Sequence, residues 1–527
     1  LLDDTLSQNQ IAEKDEGVTK IKKVRYEKDM KSKATMRNVF TSMLYQVVAL
    51  IYGLVVPRII LETFGSEVNG LVSSLNQFLS YITLLEGGLT SVVMAALYKP
   101  LSEHNISKVS AIIKSTDSFF KKIAVIFVGY SLVVAVVYPM AVKTSFGWSY
   151  VFSLTLIIAI SLFIQYFFSL TYRILIIADQ NGYIVFLAQI GFTLVNLILT
   201  VGIVKIYPEI HILKLSNAIA YIVQPVVFRL YIKKRYPLEK DAEPDKDALA
   251  QRWDGFGQNL AYFIHTNTDV AVLTIFSTLL NVSVYAVYYM ITNSLKTLVM
   301  SISTALVPSL GSILVGDDDK KKNEMFDLYE FVISFVAAFA FVCGSLLITP
   351  FVNVYTKGIT DADYYQPIFG YLLMIAEGIY CFRDPYVNVA YASGHFKQTA
   401  KYAYVEAFAN IIISIVLVRK YGLIGVAIGT MISMVYRMIA HVWYLKNNIL
   451  FRSFKKWVKS ICVFSAAFIL SFIIGKIFLI HEVGGYSQWF EMAICVAIAS
   501  MIIFSVFSML FYKEYFIKLI GKMTKKV

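Results

Sequence analysis

Fourteen long apolar segments follow one another in this chain with almost no residues between them, the first near 39–61, the second near 71–97 and the last near 489–512. About 20 consecutive apolar residues let a helix cross the hydrocarbon core of a bilayer. In lipid, every backbone N–H and C=O must be bonded within the protein, which admits only helices and closed barrels. These segments are apolar throughout rather than at alternate positions, so a barrel is excluded. With 57% hydrophobic and 16% charged residues, a soluble domain is excluded as well. The expected fold is all-α and polytopic, with about 14 transmembrane helices.

Part of the pattern occurs twice. Tyr172, Ala178, Asn196, Lys205 and Tyr207 are matched 214 positions later by Tyr386, Ala392, Asn410, Arg419 and Tyr421. A second echo runs at an offset of 212, with Phe64 and Asn69 against Phe276 and Asn281. A shift across six crossings, an even number, points both copies the same way through the bilayer. That is a parallel repeat about an axis along the membrane normal, an arrangement used by transporters. The expected organisation is a basic tail (1–38), an N-terminal six-helix lobe (39–232), a linker (233–258), a C-terminal six-helix lobe (259–445), then two additional transmembrane helices and a tail (446–527). The linker carries Lys-Lys-Arg, Pro237, Pro244 and alternating charges, and reads as flexible.

The charge distribution sets the expected orientation. With the N-terminus inside, the segments on that side and their flanks hold 35 Lys and Arg, against seven on the opposite side. This bias places both termini in the cytoplasm and the protein in the cell membrane. It also assigns the net charge of +13 to anionic lipid headgroups, so a nucleic-acid partner is not needed. The polar stretch Leu1–Lys33 does not read as a signal peptide. All four cysteines lie in apolar segments, which fits neither a disulfide framework nor a zinc site. Gly311-x4-Gly316 begins like a phosphate loop, but Asp317, Asp318 and Asp319 follow where Lys and Ser/Thr are required. No cofactor, metal site or ATP-hydrolysing domain is expected.

Ionisable groups inside the bilayer are costly and therefore informative. Glu86, Asp269, Lys296 and Glu377 fall near mid-helix. Arg58 sits toward the outer end of the first helix, and Arg173, Arg383 and Arg437 in the cytoplasmic halves of theirs. Asn76, Ser80, Thr83, Gly87 and Thr90 form one stripe bordered by Glu86, which is either a cavity wall or a polar helix–helix seam. His265 and Asp269 are four apart, as either an ion-coupling site or a hydrogen bond that fixes packing. Lys296 either binds an anion or neutralises Asp269. Arg58 either serves a cavity or pairs with Glu62 at i, i+4. Several guanidinium groups converging on one cavity suit a diphosphate, because the planar fork matches phosphate oxygens. The substrate-binding candidates are thus Arg58, Arg173, Lys296, Arg383, Arg437 and Asn76. The ion-coupling candidates are Asp269, His265, Glu86 and Glu377. The cluster Tyr285, Tyr288 and Tyr289 reads as an interfacial belt in preference to a sugar-stacking surface.

From about residue 36 onward the chain resembles the polysaccharide repeat-unit flippases of the multidrug/oligosaccharidyl-lipid/polysaccharide exporter superfamily. The residues that carry the resemblance are Pro57-Arg58 through Phe64-Gly65, Asn69-Gly70-Leu71, Glu86-Gly87-Gly88-Leu89 and Asn267-Thr268-Asp269. Val68-Asn69 departs from the aromatic often found before that glycine. The resemblance implies two lobes around a central cavity, alternating access, undecaprenyl-diphosphate-linked oligosaccharide as cargo and a polysaccharide polymerase as a partner. A H+ or Na+ gradient is the expected driving force. Peptidoglycan-precursor flippases of the same superfamily are the nearest alternative. Multidrug antiporters fit the intramembrane Arg and Lys less well. A membrane glycosyltransferase or polymerase would need a larger outer domain than 351–366, even with Asp361 and Asp363 there as an acidic pair, so an enzyme is not expected.

Overall fold

The computed structural model describes residues 2–86, 88–239, 241–245, 247–249, 256–314 and 318–524; the side chains of 2–34, 256–259, 261–262, 265, 308–314 and 519–524 lie outside the description. Among the described residues the regular structure is helical. α1 spans Leu2–Ser80, passes through a 3-10 turn at Tyr81–Glu86 and continues as α2, Leu89–Ser102. α3 is Ile106–Ala141, and α4 (Trp148–Ile164) joins α5 (Leu170–Ala178) through a π turn at Gln165–Ser169. α6 is Gly182–Ile206, α7 Ile210–Tyr221 and α8 Val223–Arg235. The second half holds α9 (Phe256–Phe276), α10 (Leu279–Leu314), α11 (Asp319–Tyr355), α12 (Pro367–Ala392) and α13 (Phe396–Asn448). α14 (Phe454–Ile474), α15 (Tyr486–Phe511) and α16 (Lys513–Thr524) close the chain.

Among the described residues ten helical runs are long and apolar enough to cross a membrane. Two of them, Thr35–Glu86 and Phe396–Asn448, hold 52 and 53 residues, roughly 80 Å if straight, against a core of about 30 Å. Each breaks at a glycine in the left-handed region, Gly65 at φ 83° and Gly422 at φ 53°, a conformation that costs glycine little. Each therefore supplies two crossings. α9 and α12 complete fourteen crossings. Any 18 consecutive residues of α12 contain Glu377, Arg383 and Asp384, so composition alone does not mark it as a span. An even number leaves both termini on one side, here called the terminal face; the opposite side is the far face.

The internal repeat is visible in the backbone. α5 ends at Ala178 and α12 at Ala392; α6 begins at Gly182 and α13 at Phe396. Both offsets are the 214 of the sequence echo. Between them the left-handed residues Gln180 (φ 61°) and Gly394 (φ 76°) correspond as well. Gln180 has no glycine's freedom, and Asn38 holds that turn by donating to the Gln180 carbonyl at 2.7 Å and accepting from the Tyr183 N–H at 2.9 Å. The 212 echo likewise places the Gly65 break beside Phe64 and the end of α9 at Phe276.

Three features differ from expectation. The second crossing is interrupted by the 3-10 turn at Tyr81–Glu86, and α2 restarts at Leu89 after Gly88. The linker is pinned where it is described: Glu239 N–H donates to Ser110 Oγ at 3.0 Å, and Lys108 pairs with Asp245 at 2.7 Å. Of its charges, Asp245 finds a partner on α3. Tyr285 and Tyr288 are buried rather than forming a belt, because α10 begins at Leu279 and carries them inward.

The apolar core divides by halves. One group runs from Val56 to Leu249 and includes Leu279 from the second half; another joins Leu61 to residues between Val272 and Ala427. α14 and α15 pack on α11 through Phe331, Phe335, Phe464 and Phe504.

Candidate functional site

At the far face the two halves are sealed by a connected hydrogen-bond chain. Asp361 accepts from the Ser66 N–H and Oγ, both at 2.6 Å. The Tyr364 hydroxyl lies 2.8 Å from Ser66 Oγ and 2.8 Å from Ser283 Oγ, which Asn69 Nδ2 also meets at 2.8 Å. Ser66, Asn69, Ser283 and Tyr364 are all buried. The seal depends on two glycines. A Cβ on Gly70 would stand 1.9 Å from the Leu279 carbonyl oxygen, and one on Gly65 2.9 Å from Asp361 Oδ2. Arg58 adds a clamp at the rim, donating to the Lys357 carbonyl at 2.8 Å and to the Tyr355 carbonyl while pairing with Glu62. Asp363 caps the turn into α12, accepting from the Tyr365 N–H at 3.0 Å.

The seal continues inward where Ser74 Oγ meets Thr274 Oγ1 at 2.7 Å, Gln77 donates to Asn267, and the Tyr81 and Phe263 rings stand 5.3 Å apart. Beyond this level α1 gives way to its 3-10 turn. Asn76 is exposed on the α1 side. On α10, Asn293, Thr297, Ser301 and Thr304 share a stripe at helical spacing; the last three are exposed and Asn293 is half-buried. Their hydroxyls bond the carbonyl one turn back, at 2.8 to 2.9 Å, which keeps a spare lone pair facing outward.

The second half has a buried charge set. Lys296 pairs with Glu377 at 3.0 Å, within reach of the Tyr289 and Tyr380 rings. Arg383 reaches Glu406 at 2.8 Å, and Arg437 takes its other oxygen. Asp384 accepts from Asn388 at 2.8 Å and from Ser303. Asp269 accepts from Tyr285 at 3.0 Å, and from Thr430 Oγ1, which lies 3.1 and 3.0 Å from its two oxygens. Asn410 Nδ2 donates to Thr430 at 2.9 Å, while among the described residues Asn410 Oδ1 and Ser414 Oγ are buried without a hydrogen-bond partner. In this set four carboxylates face three cations.

The expected site residues are thus divided. Lys296 is neutralised by Glu377 and not by Asp269, since α10 turns it toward α12. Arg383 and Arg437 converge, but on Glu406. Arg58 is committed to the rim, as its i, i+4 spacing with Glu62 allowed. Arg173 is half-buried on α5 beside Tyr221. Glu86 accepts from Thr90 at 2.7 Å and lies against Tyr166 of the π turn, inside the first half. The side chain of His265 lies outside the described residues. Sequence reading missed the α10 stripe, although its spacing was there to be read, and the seal, whose cross-half hydrogen bonds join residues 190 to 298 positions apart.

No protein-family model and no curated protein sequence matches the chain. Solved structures do. A lipid II flippase, MurJ, in an inward closed conformation superposes with a TM-score of 0.66 at 16% identity, covering 90% of this chain and 99% of that one. An inward-facing multidrug resistance MATE family transporter of the MOP superfamily gives 0.61 at 15%, covering 79% and 98%. The eukaryotic MATE transporter AtDTX14 gives 0.57 at 13%, covering 82% and 98%. At such identities the likeness concerns architecture, and the chain has the transporter fold common to a lipid II flippase and the MATE exporters.

Proposed function

We propose that the protein is a flippase that moves undecaprenyl-diphosphate-linked oligosaccharide from the inner to the outer leaflet of the cell membrane by alternating access, for export of a cell-surface polysaccharide. The observation that carries this reading is the pairing of a far-face seal with Asn76 on α1 and a polar stripe on α10 beside a buried lysine. In this reading the terminal face is cytoplasmic, in line with the 35-to-7 bias, and the structure is the state open to cargo from inside. The diphosphate head meets Asn76, Asn293 and Thr297 and replaces Glu377 as the partner of Lys296. The polyprenyl tail stays in lipid. A polysaccharide polymerase on the outer side would consume the product.

Coupling is assigned to Asp269. Among the described residues Asp269, like Asp384, is a buried carboxylate with no cation within ion-pair distance, and Thr430 Oγ1 spans its two oxygens. One H+ or Na+ there balances the three-to-four charge set, and small hard cations take oxygen ligands of this kind. A second reading, flipping of a lipid-linked disaccharide peptide, is favoured by the 90% coverage of the lipid II flippase match against 79% and 82% for the other two.

The test is transport in proteoliposomes with a labelled oligosaccharide–diphosphate lipid and a disaccharide–peptide lipid in parallel. Lys296→Met should lose head binding, whereas Asp269→Asn should keep it and lose gradient-driven flipping. Faster flipping of the peptide lipid selects the second reading. Failure to move either lipid under a proton or sodium gradient would overturn both.

A further inference from the structure

We propose that the crevice between α11, α14, α15 and α16 on the terminal face is a binding site for the headgroup of an anionic glycerophospholipid. The crevice has a volume of about 370 Å³ and is lined by Arg452, Lys456, Lys459 and Lys513 among others. Tyr512 and Tyr515, side chains of a kind that favours the membrane–water boundary, line it as well.

The floor is already neutral. Arg452 holds Asp327 at 2.7 Å and also Glu330, and Lys456 reaches the second Asp327 oxygen at 2.6 Å. What remains is a cationic surplus, Lys459 and Lys513 against Glu514. Lys459 spends one N–H on the Phe511 carbonyl at 3.0 Å, which leaves two donors for a phosphate. The mouth is apolar: Leu510 and Phe511 line it and are 71% and 47% exposed. A cationic wall joined to an apolar mouth at headgroup depth matches a phosphate attached to acyl chains. Free phosphate would use the wall and leave the mouth wet.

Occupancy would bear on the transport helices. Arg452 holds Glu330, and Glu330 accepts from the Tyr386 hydroxyl on α12, one turn from Arg383. The site does not depend on which cargo the protein carries.

The experiment is native mass spectrometry of the full chain released from nanodiscs holding equal phosphatidylglycerol and phosphatidylcholine with identical acyl chains. Wild type should retain phosphatidylglycerol selectively, and Lys459→Gln/Lys513→Gln should reduce that retention roughly tenfold or more. These substitutions leave the Arg452 and Lys456 ion pairs intact, so the variant should fold, as checked by its unfolding midpoint in phosphatidylcholine. Equal retention of the two lipids, or undiminished phosphatidylglycerol on the variant, overturns the proposal. So does displacement of phosphatidylglycerol by millimolar inorganic phosphate, or selective retention of undecaprenyl phosphate when that lipid is added.

Discussion

Gly70→Ala should hold the far-face seal open. The new Cβ would start 1.9 Å from the Leu279 carbonyl oxygen, and ordinary contact begins at 3.4 Å, so the two backbones must part by about 1.5 Å. At that separation the Asn69–Ser283 bond of 2.8 Å and the Ser74–Thr274 bond of 2.7 Å fall outside hydrogen-bond range. Losing two buried bonds, each worth about 1 kcal/mol net and more where a group is stranded, disfavours the sealed state by roughly 2–4 kcal/mol. That corresponds to about a 30- to 1000-fold change in the ratio of sealed to open molecules. The assay is labelling of a cysteine at Asn76, one step inward of the Ser74–Thr274 bond, by a membrane-impermeant maleimide applied from the far side. Labelling should be slow in the otherwise wild-type chain and at least tenfold faster with Gly70→Ala, and flipping should slow. Unchanged labelling in a folded variant that transports normally would show that the Gly70–Leu279 approach does not close the path.

Glu406→Gln keeps the shape of the side chain but leaves Arg383 and Arg437 without their buried carboxylate. It should cost about 3–5 kcal/mol, read as a large drop in the unfolding midpoint, with Glu406→Asp intermediate. Asp245 lies outside the membrane, and a hydrogen bond from Lys108 is the main reason its carboxyl is held below its ordinary value of 3.8. A depressed value means that the tether contributes at neutral pH and is lost as the pH falls through that lowered value. Asp245→Asn should therefore mimic acid at neutral pH, with faster proteolysis in 236–249 and no change in the membrane core.

Much of the architecture was legible because lipid leaves the backbone few options. Apolar run length marked most of the crossings, and the echoed pair Ala178/Ala392 falls at helix ends that the structure places at the same offset. The expected stripe through Asn76 presumes one continuous helix; only Asn76 and Ser80 lie on α1, with Thr83 in the 3-10 turn and Thr90 on α2. Pairings between helices were not. Spacing along α9 links Asp269 to His265, but nothing in the sequence says that α10 turns Lys296 toward Glu377, or that Thr430, 161 residues away, holds Asp269. The charges of 233–258 suggested mobility because a partner such as Lys108, which pairs with Asp245, lies far off in sequence. The tyrosines at 285 and 288 were misread for a geometric reason: moving the start of α10 outward by six residues, from 285 to Leu279, buries them.

The buried charge set has an electrical consequence. At an offset of 214, the counterparts of Lys296, Glu377, Arg383, Asp384, Glu406 and Arg437 are Ile82, Phe163, Ser169, Leu170, Phe192 and Val223. Duplication has left this chemistry in one copy only. Displacing a unit charge through the membrane field takes about 2.3 kcal/mol per 100 mV. The second half, one carboxylate in excess, feels that field whenever it rocks, and a single cation beside Asp269 removes the burden. Voltage should therefore govern the step made without the cation and leave the cation-loaded step nearly untouched.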